Sequence, residues 1–134
     1  MEDDFEQQEW VKFGVSAALS RQYSADERTF LELLAQMLER ALPGEVEIKK
    51  HGALFGKKTI QSVSIVLGNI RYTLEDPGRG SLVALKTKIV RGIALKTEEM
   101  TVKDILEEMG AGLEERMHTS STARDALSQF VDPM

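Results

Sequence analysis

Apolar residues in this chain keep helical spacing at both ends and strand spacing in the middle. Between residues 4 and 21, Trp10, Phe13 and Ala17 fall on one helical face with Val11 and Leu19 beside it, while Glu6, Glu9, Lys12 and Arg21 lie largely elsewhere. Gly14 interrupts that stripe. A second helix is better marked. Ser24-Ala25-Asp26-Glu27 has the form of a capping box, in which a hydroxyl and a carboxylate satisfy each other's free amides. Phe30, Leu31, Leu34, Met37, Leu38 and Ala41 then make a broad apolar stripe, which Pro43-Gly44 brings to an end.

From residue 45 the period drops to two. Val46 and Ile48 alternate with Glu45, Glu47 and Lys49, and the glycines at 52 and 56 bracket a turn. A strand over 58–67 and a half-buried strand over 70–75 follow, joined by Gly68-Asn69 as a tight hairpin. Residues 76–80, Asp-Pro-Gly-Arg-Gly, form a strong turn signal. Residues 82–95 read as one long strand, or as two divided near Gly92, where a bulge fits.

Thr101-Val102-Lys103-Asp104 repeats the capping-box pattern and opens a helix with Val102, Ile105, Leu106, Met109, Leu113 and Met117 as its stripe. A short last helix over 121–131 turns Ala123, Ala126, Leu127 and Phe130 inward. The expected fold is therefore a single α+β domain spanning 1–134. Its core is an antiparallel meander sheet of four to five strands, with two N-terminal and two C-terminal helices packed on one face. Short turns favour hairpins, since parallel strands need long crossovers.

Charge follows these segments. Residues 1–44 carry nine acids and four bases, residues 45–96 four and ten, and residues 97–134 nine and three, for the overall −5. Basic strands and acidic helices predict two electrically different sides. The net negative charge argues against generic nucleic-acid binding, which needs positive potential over the docking face. At 134 residues the chain can bury a sizeable core. It has no cysteine, which excludes disulfides, thiolate metal sites and cysteine nucleophiles. No stretch approaches the roughly 18 apolar residues of a membrane span, and the acidic start Met1-Glu2-Asp3-Asp4 is unlike a secretory signal. The expected location is cytoplasmic.

Candidate chemistry is thin. Residues 52–59 superficially match a phosphate-binding loop, but three residues separate the glycines instead of four, Lys58 stands where the hydroxyl belongs, and a strand follows. Glu115-Arg116-Met117-His118 has the Glu-x-x-His spacing of carboxylate-bridged di-iron helices, yet only one copy is present. Glu107, Glu108, Glu114 and Glu115 recur at seven-residue spacing, the mark of a solvated helix face. The hydroxyls Thr119 to Thr122 read as helix punctuation, and no Gly-x-Ser-x-Gly elbow exists. Paired carboxylates leave no local signature, so a small-ligand enzyme with a pocket between helices and sheet stays open as an alternative. No cofactor, metal or catalytic residue is expected.

The sheet offers the stronger candidate. Val83, Leu85, Ile89, Ile93 and Leu95 are expected toward the core, and Leu82, Ala84, Lys86, Lys88, Val90 and Lys96 away from it. Neighbouring strands would add Lys49, His51, Arg71 and Thr73, with Ile60, Ser62, Ser64 and Val66 on the same side. Arg91, inward by this count, needs a carboxylate, an anion or a bulge at Gly92 that turns it out. The bland account is a wet sheet face with ordinary lysines. Against it, Leu82, Val90, Ile60 and Val66 would expose more aliphatic surface than solubility needs. The expected interface is Ile60, Arg71, Leu82, Lys86, Lys88 and Val90, and its partner is a second copy (a homodimer) or another protein. Nucleic acid is disfavoured, because the sheet aromatics are only Phe55 and the core-side Tyr72.

The runs Ala41-Leu42-Pro43-Gly44, Val90-Arg91-Gly92-Ile93 with Leu95-Lys96, and Ala123-Arg124-Asp125-Ala126-Leu127 resemble small bacterial α+β proteins to which no activity is attached. That resemblance spans about residues 30–131 and implies no functional residues. Size, acidity and helix–sheet content are also similar to type III secretion chaperones, which place a helix within the strand series where the turns here leave no room. The expectation is a non-enzymatic protein-binding or adaptor module. The alternative is a secretion or assembly chaperone that holds a partner segment on the same surface.

Overall fold

The computed structural model describes residues 2–52, 59–78 and 80–131, with side chains from residue 14 onward. Its elements run α1 (Glu2–Ala25), α2 (Glu27–Ala41), β1 (Val46–His51), β2 (Thr59–Leu67), β3 (Ile70–Glu75), β4 (Val83–Val90), β5 (Ile93–Met100), α3 (Val102–Thr119) and α4 (Ser121–Val131). The five strands form one antiparallel sheet in the order β1-β2-β3-β4-β5, the α+β meander expected. The side chains of Trp10, Val11 and Phe13, which carry the expected first helical face, are not among those described, and the phosphate-loop-like stretch 53–58 lies outside the described residues.

Tight turns enforce the meander. Gly68-Asn69 joins β2 to β3, with Gly68 at φ +65°. Arg91 and Gly92 join β4 to β5 at φ +51° and +80°, the left-handed pair of a mirror-image turn whose twist suits a hairpin. Residues 82–95 are thus two strands, and β5 continues to Met100. Arg91 owes its outward position to this turn, not to a bulge, and is exposed. The register shifts lie elsewhere, leaving Gln61 extra on β2 and Leu95 extra on β5.

Capping follows the sequence at one helix and departs from it at another. Ser24 stays inside α1, and Asp26 is the cap of α2. Its backbone is extended (φ −157°), and its carboxylate accepts from the amides of Arg28 at 3.0 Å and Thr29 at 3.3 Å. Thr101 caps α3 as expected, its hydroxyl accepting from the Asp104 amide at 3.1 Å. Ser120 punctuates twice: its amide donates to Arg116 O at 2.9 Å, and its hydroxyl accepts from the Ala123 amide at 3.1 Å.

The core lies on one side of the sheet. Phe30, Leu34 and Leu38 of α2, Ile105, Leu106, Met109 and Leu113 of α3, and Leu127 of α4 meet Val63, Ile65, Leu74 and Ala84 from the strands. Helices α2 and α3 carry the contacts to the strands, while α1 and α4 pack chiefly on the other helices. Ala126 and Phe130 are only partly buried there. Helices α1 and α3 come unusually close where Gly110 meets Ser16, whose hydroxyl donates to Glu107 O at 3.3 Å.

A methyl group at Gly110 would stand 2.9 Å from Ser16 Cα and 3.0 Å from its N, backbone atoms that cannot rotate away. One at Gly112 would meet only the Leu67 side chain, closest at Cδ1, 2.9 Å away, its movable end. Gly110→Ala is therefore expected to lower stability, because overpacking of about 1–3 kcal/mol outweighs a helix-propensity gain of about 1 kcal/mol. Gly112→Ala should be near neutral or stabilising. Denaturant melts of both variants check this ordering, and equal effects would contradict it.

Candidate functional site

Strand register assigns every side chain to one of two sheet faces. Across the helix-covered face run Val46, Ile65, Tyr72, Lys86 and Glu98 in one row and Ile48, Val63, Leu74, Ala84 and Met100 in the next. Across the opposite face run Glu47, Ser64, Thr73, Leu85 and Glu99, then Val66, Arg71, Thr87 and Thr97. Apart from Ile60, the β1–β3 assignments agree with the sequence reading. The β4 assignment is the reverse of it: Ala84, 1% exposed, faces the helices, and Val83, Leu85 and Ile89 face away.

Alternation within β4 sets Val83, Leu85 and Ile89 against a face that carries Lys86 and Lys88, and packing overrides it. Two constraints decide. Small Ala84 lets α3 approach, and Lys86 on the same face reaches Glu108 of α3. The seven-residue connection over 76–82 leaves the register free to satisfy both.

The six residues expected to form one interface are consequently divided. Arg71 lies on the open face. Ile60 and Leu82 pack against the core instead, Ile60 because the extra residue Gln61 turns it over. Lys86 and Lys88 project on the helix side of β4, and Val90, 39% exposed, follows them at the tip of the β4–β5 hairpin. The strands keep a small excess of bases and the helices an excess of acids, but Glu98 and Glu99 stand on β5, so the sheet is not uniformly basic.

Lys86 belongs to a polar seam between α3 and the sheet. Its Nζ lies 2.9 Å from Glu108 Oε2 and donates to Oε1 at 3.2 Å, while the Tyr72 hydroxyl donates to Oε2 at 3.4 Å. Burial above all, then the Glu108 charge and hydrogen bond, raise the Tyr72 pKa above the usual phenol value. A groove of about 400 Å³ adjoins the seam, lined by Leu67, Tyr72, Glu108, Gly112, Glu115 and Arg116 among others. Arg116 is held by Glu45 through both guanidinium ends. Its hydrogen bond first, and its charge second, keep the Glu45 carboxyl below the usual range.

The seven-residue glutamate pattern is not one solvated face: Glu107 and Glu115 are exposed, Glu108 enters the seam, and Glu114 is buried. Among the described residues, no group of three or more His, Cys, Asp and Glu is placed to hold a metal ion, and Glu115 and His118 are both exposed on α3.

The open face has its own chemistry. Ser64 and Thr73 hydroxyls lie 2.9 Å apart, as do those of Thr87 and Thr97, giving a hydroxyl band across β2–β5. Val66 (38% exposed), Val83, Leu85 and Ile89 flank it. Sequence alternation concealed this face, because its aliphatic members on β4 carried the signature of a core. Beyond it, the β4–β5 hairpin exposes Ile93 (63%) and Leu95 (60%). Among the described residues no helix is long and apolar enough to cross a membrane. No protein-family model matches the chain, and neither a curated protein nor a solved structure is significantly similar to it.

The Tyr72–Glu108 contact makes a checkable claim. Since the folded-state pKa of Tyr72 is raised, this group supports folding below the ordinary phenol pKa of about 10, and the support is lost as pH rises through the folded value. In a Tyr23→Phe background, which leaves one tyrosine, Glu108→Gln should lower the Tyr72 titration midpoint partway and leave the shift due to burial. Ultraviolet titration measures it, and an unchanged midpoint would contradict the contact.

Proposed function

We propose that this chain is a non-enzymatic protein-binding module that works through the open face of its sheet. One observation carries the reading: among the described residues helices cover a single side, and the other side presents Val66 and the half-buried Val83, Leu85 and Ile89 around paired hydroxyls, with Arg71 between Val66 and Thr87 and further charges at Glu47, Lys49, Glu75 and Glu99. Exposed aliphatic surface with a polar rim is the composition of interaction sites. Thr73 and Thr87 are buried and their hydroxyls are paired within the sheet, so the aliphatic side chains supply the contact surface. An assembly chaperone's client segment is one kind of partner this face would suit.

The groove beside Tyr72 favours the other reading, a small-ligand site. That reading is weaker because Glu108 is engaged by Lys86 and Tyr72, and Arg116 by Glu45, so neither charge is reserved for a ligand.

Leu85→Lys tests the face directly, with Lys103→Glu on the exposed side of α3 as a control. A protein that co-purifies with the chain from its native host should bind Leu85→Lys at least about tenfold more weakly, a loss of about 1.4 kcal/mol. Lys103→Glu should bind as the parent does. Equal binding by Leu85→Lys, measured by calorimetry on folded variants, would overturn the reading.

A further inference from the structure

Strand β5 closes the sheet with no strand beyond it among the described residues, and every residue from Ile93 to Glu99 is exposed. Its outer backbone amides and carbonyls form a template for another strand. We propose that a second copy of this chain supplies that strand, β5 pairing antiparallel with β5 across a two-fold axis at Thr97. The result is one continuous sheet of five strands from each copy. This interface uses the strand edge and not the open face, so it goes beyond the reading above and stands or falls separately.

Charge selects both the partner and the register. Directly opposed residues of an antiparallel pair share a face, so a two-fold axis perpendicular to the sheet must pass through a residue position. An axis at Lys96 sets that lysine against its own copy. One at Glu98 or Glu99 sets carboxylate against carboxylate, and like charges directly opposed are destabilising. Leu95 is the extra residue of the bulge and interrupts the ladder. At Thr97 the conflict disappears: Lys96 of each copy faces Glu98 of the other, and the two Thr97 hydroxyls meet at the centre.

Features of the single chain fit that arrangement. Lys88 and Lys96 are directly opposite each other in the β4–β5 pairing, a like-charge contact. Lys96 folds back along its own strand to reach Glu98 at 2.9 Å. Pairing would set the second copy's Glu98 beside Lys96, while each Glu98 keeps Lys86 as its neighbour on β4. The Thr87–Thr97 hydroxyl contact lies on the open face and would continue across the axis. The antiparallel sense also carries the exposed Ile93 toward the end of the second copy's β5, where Met100 is only partly buried. Lysines and bulges ordinarily protect an edge from pairing. Here the lysine is matched by a glutamate two residues on, and the bulge lies outside the Lys96–Glu98 segment.

Sedimentation of the full chain tests the proposal. The parent should sediment at twice the mass of one chain and dissociate on dilution. Lys96→Glu and Glu98→Lys should each weaken association at least about tenfold. Combining the two should restore it, because the opposed pairs are rebuilt with reversed sign. The chain has no cysteine, so Thr97→Cys introduces a single thiol. Opposed Cα atoms at about 4.5–5.5 Å are within disulfide range, and mild oxidation should trap a covalent dimer. Lys49→Cys on the β1 edge should not cross-link. Cross-linking keeps the test decisive if a charge variant fails to fold. A parent that sediments as a single chain, association untouched by both single reversals, or cross-linking no faster at position 97 than at 49 overturns the proposal.

Discussion

A sheet covered by helices on one side must commit each strand's two faces to opposite environments, and in β4 that commitment organises the molecule. Ala84 goes inward because its small side chain admits α3, and the alternation of the strand then takes Lys86 inward with it. Lys86 does not remain uncompensated: Glu108 of α3 meets it, and Tyr72 donates to the same carboxylate. Placing a lysine on the core side thereby ties helix to sheet. The same choice sends Val83, Leu85 and Ile89 outward, where no helix covers them among the described residues. Seam and open face are two consequences of one register, and a one-residue slip would exchange them.

The legible parts of the sequence were those with a local cause. Gly68-Asn69 and the turn residues over 76–80 marked strand limits, Thr101 marked the start of α3, and the stripes of α2 and α3 named their buried residues. Tyr72 was correctly placed on the core side. What escaped had non-local causes. Ser24 and Asp26 are both competent caps, and the continuation of α1 to Ala25 decides between them. Ile60 changes sides because Gln61 is an extra residue in the ladder. The faces of β4 depend on a helix that lies more than ten residues downstream, because the alternation of Val83, Leu85 and Ile89 with Lys86 and Lys88 points the other way.

Charge sorting along the chain survives as basic strands and acidic helices, but it does not make a sheet face uniformly basic. The acidic segment that begins at residue 97 contributes the last part of β5, so Glu98 and Glu99 stand beside the lysines of β4. A strand that straddles the boundary between basic and acidic segments carries both signs within three residues, Lys96-Thr97-Glu98. That local sequence gives the edge its self-complementary character. It also explains why a face judged basic from the central segment alone is, in three dimensions, aliphatic and hydroxyl-bearing with charges of both signs.

Everything functional here rests on which face of β4 is open, and solvent access to a single thiol reads that directly. The chain has no cysteine of its own, so Leu85→Cys and Ala84→Cys can be compared by the rate of thiol labelling under native conditions. The account predicts that the thiol at position 85, which is partly exposed, reacts readily in the folded protein. The thiol at position 84 should react orders of magnitude more slowly, only through opening of the fold. Rapid labelling at position 84 with protection at 85 would contradict it.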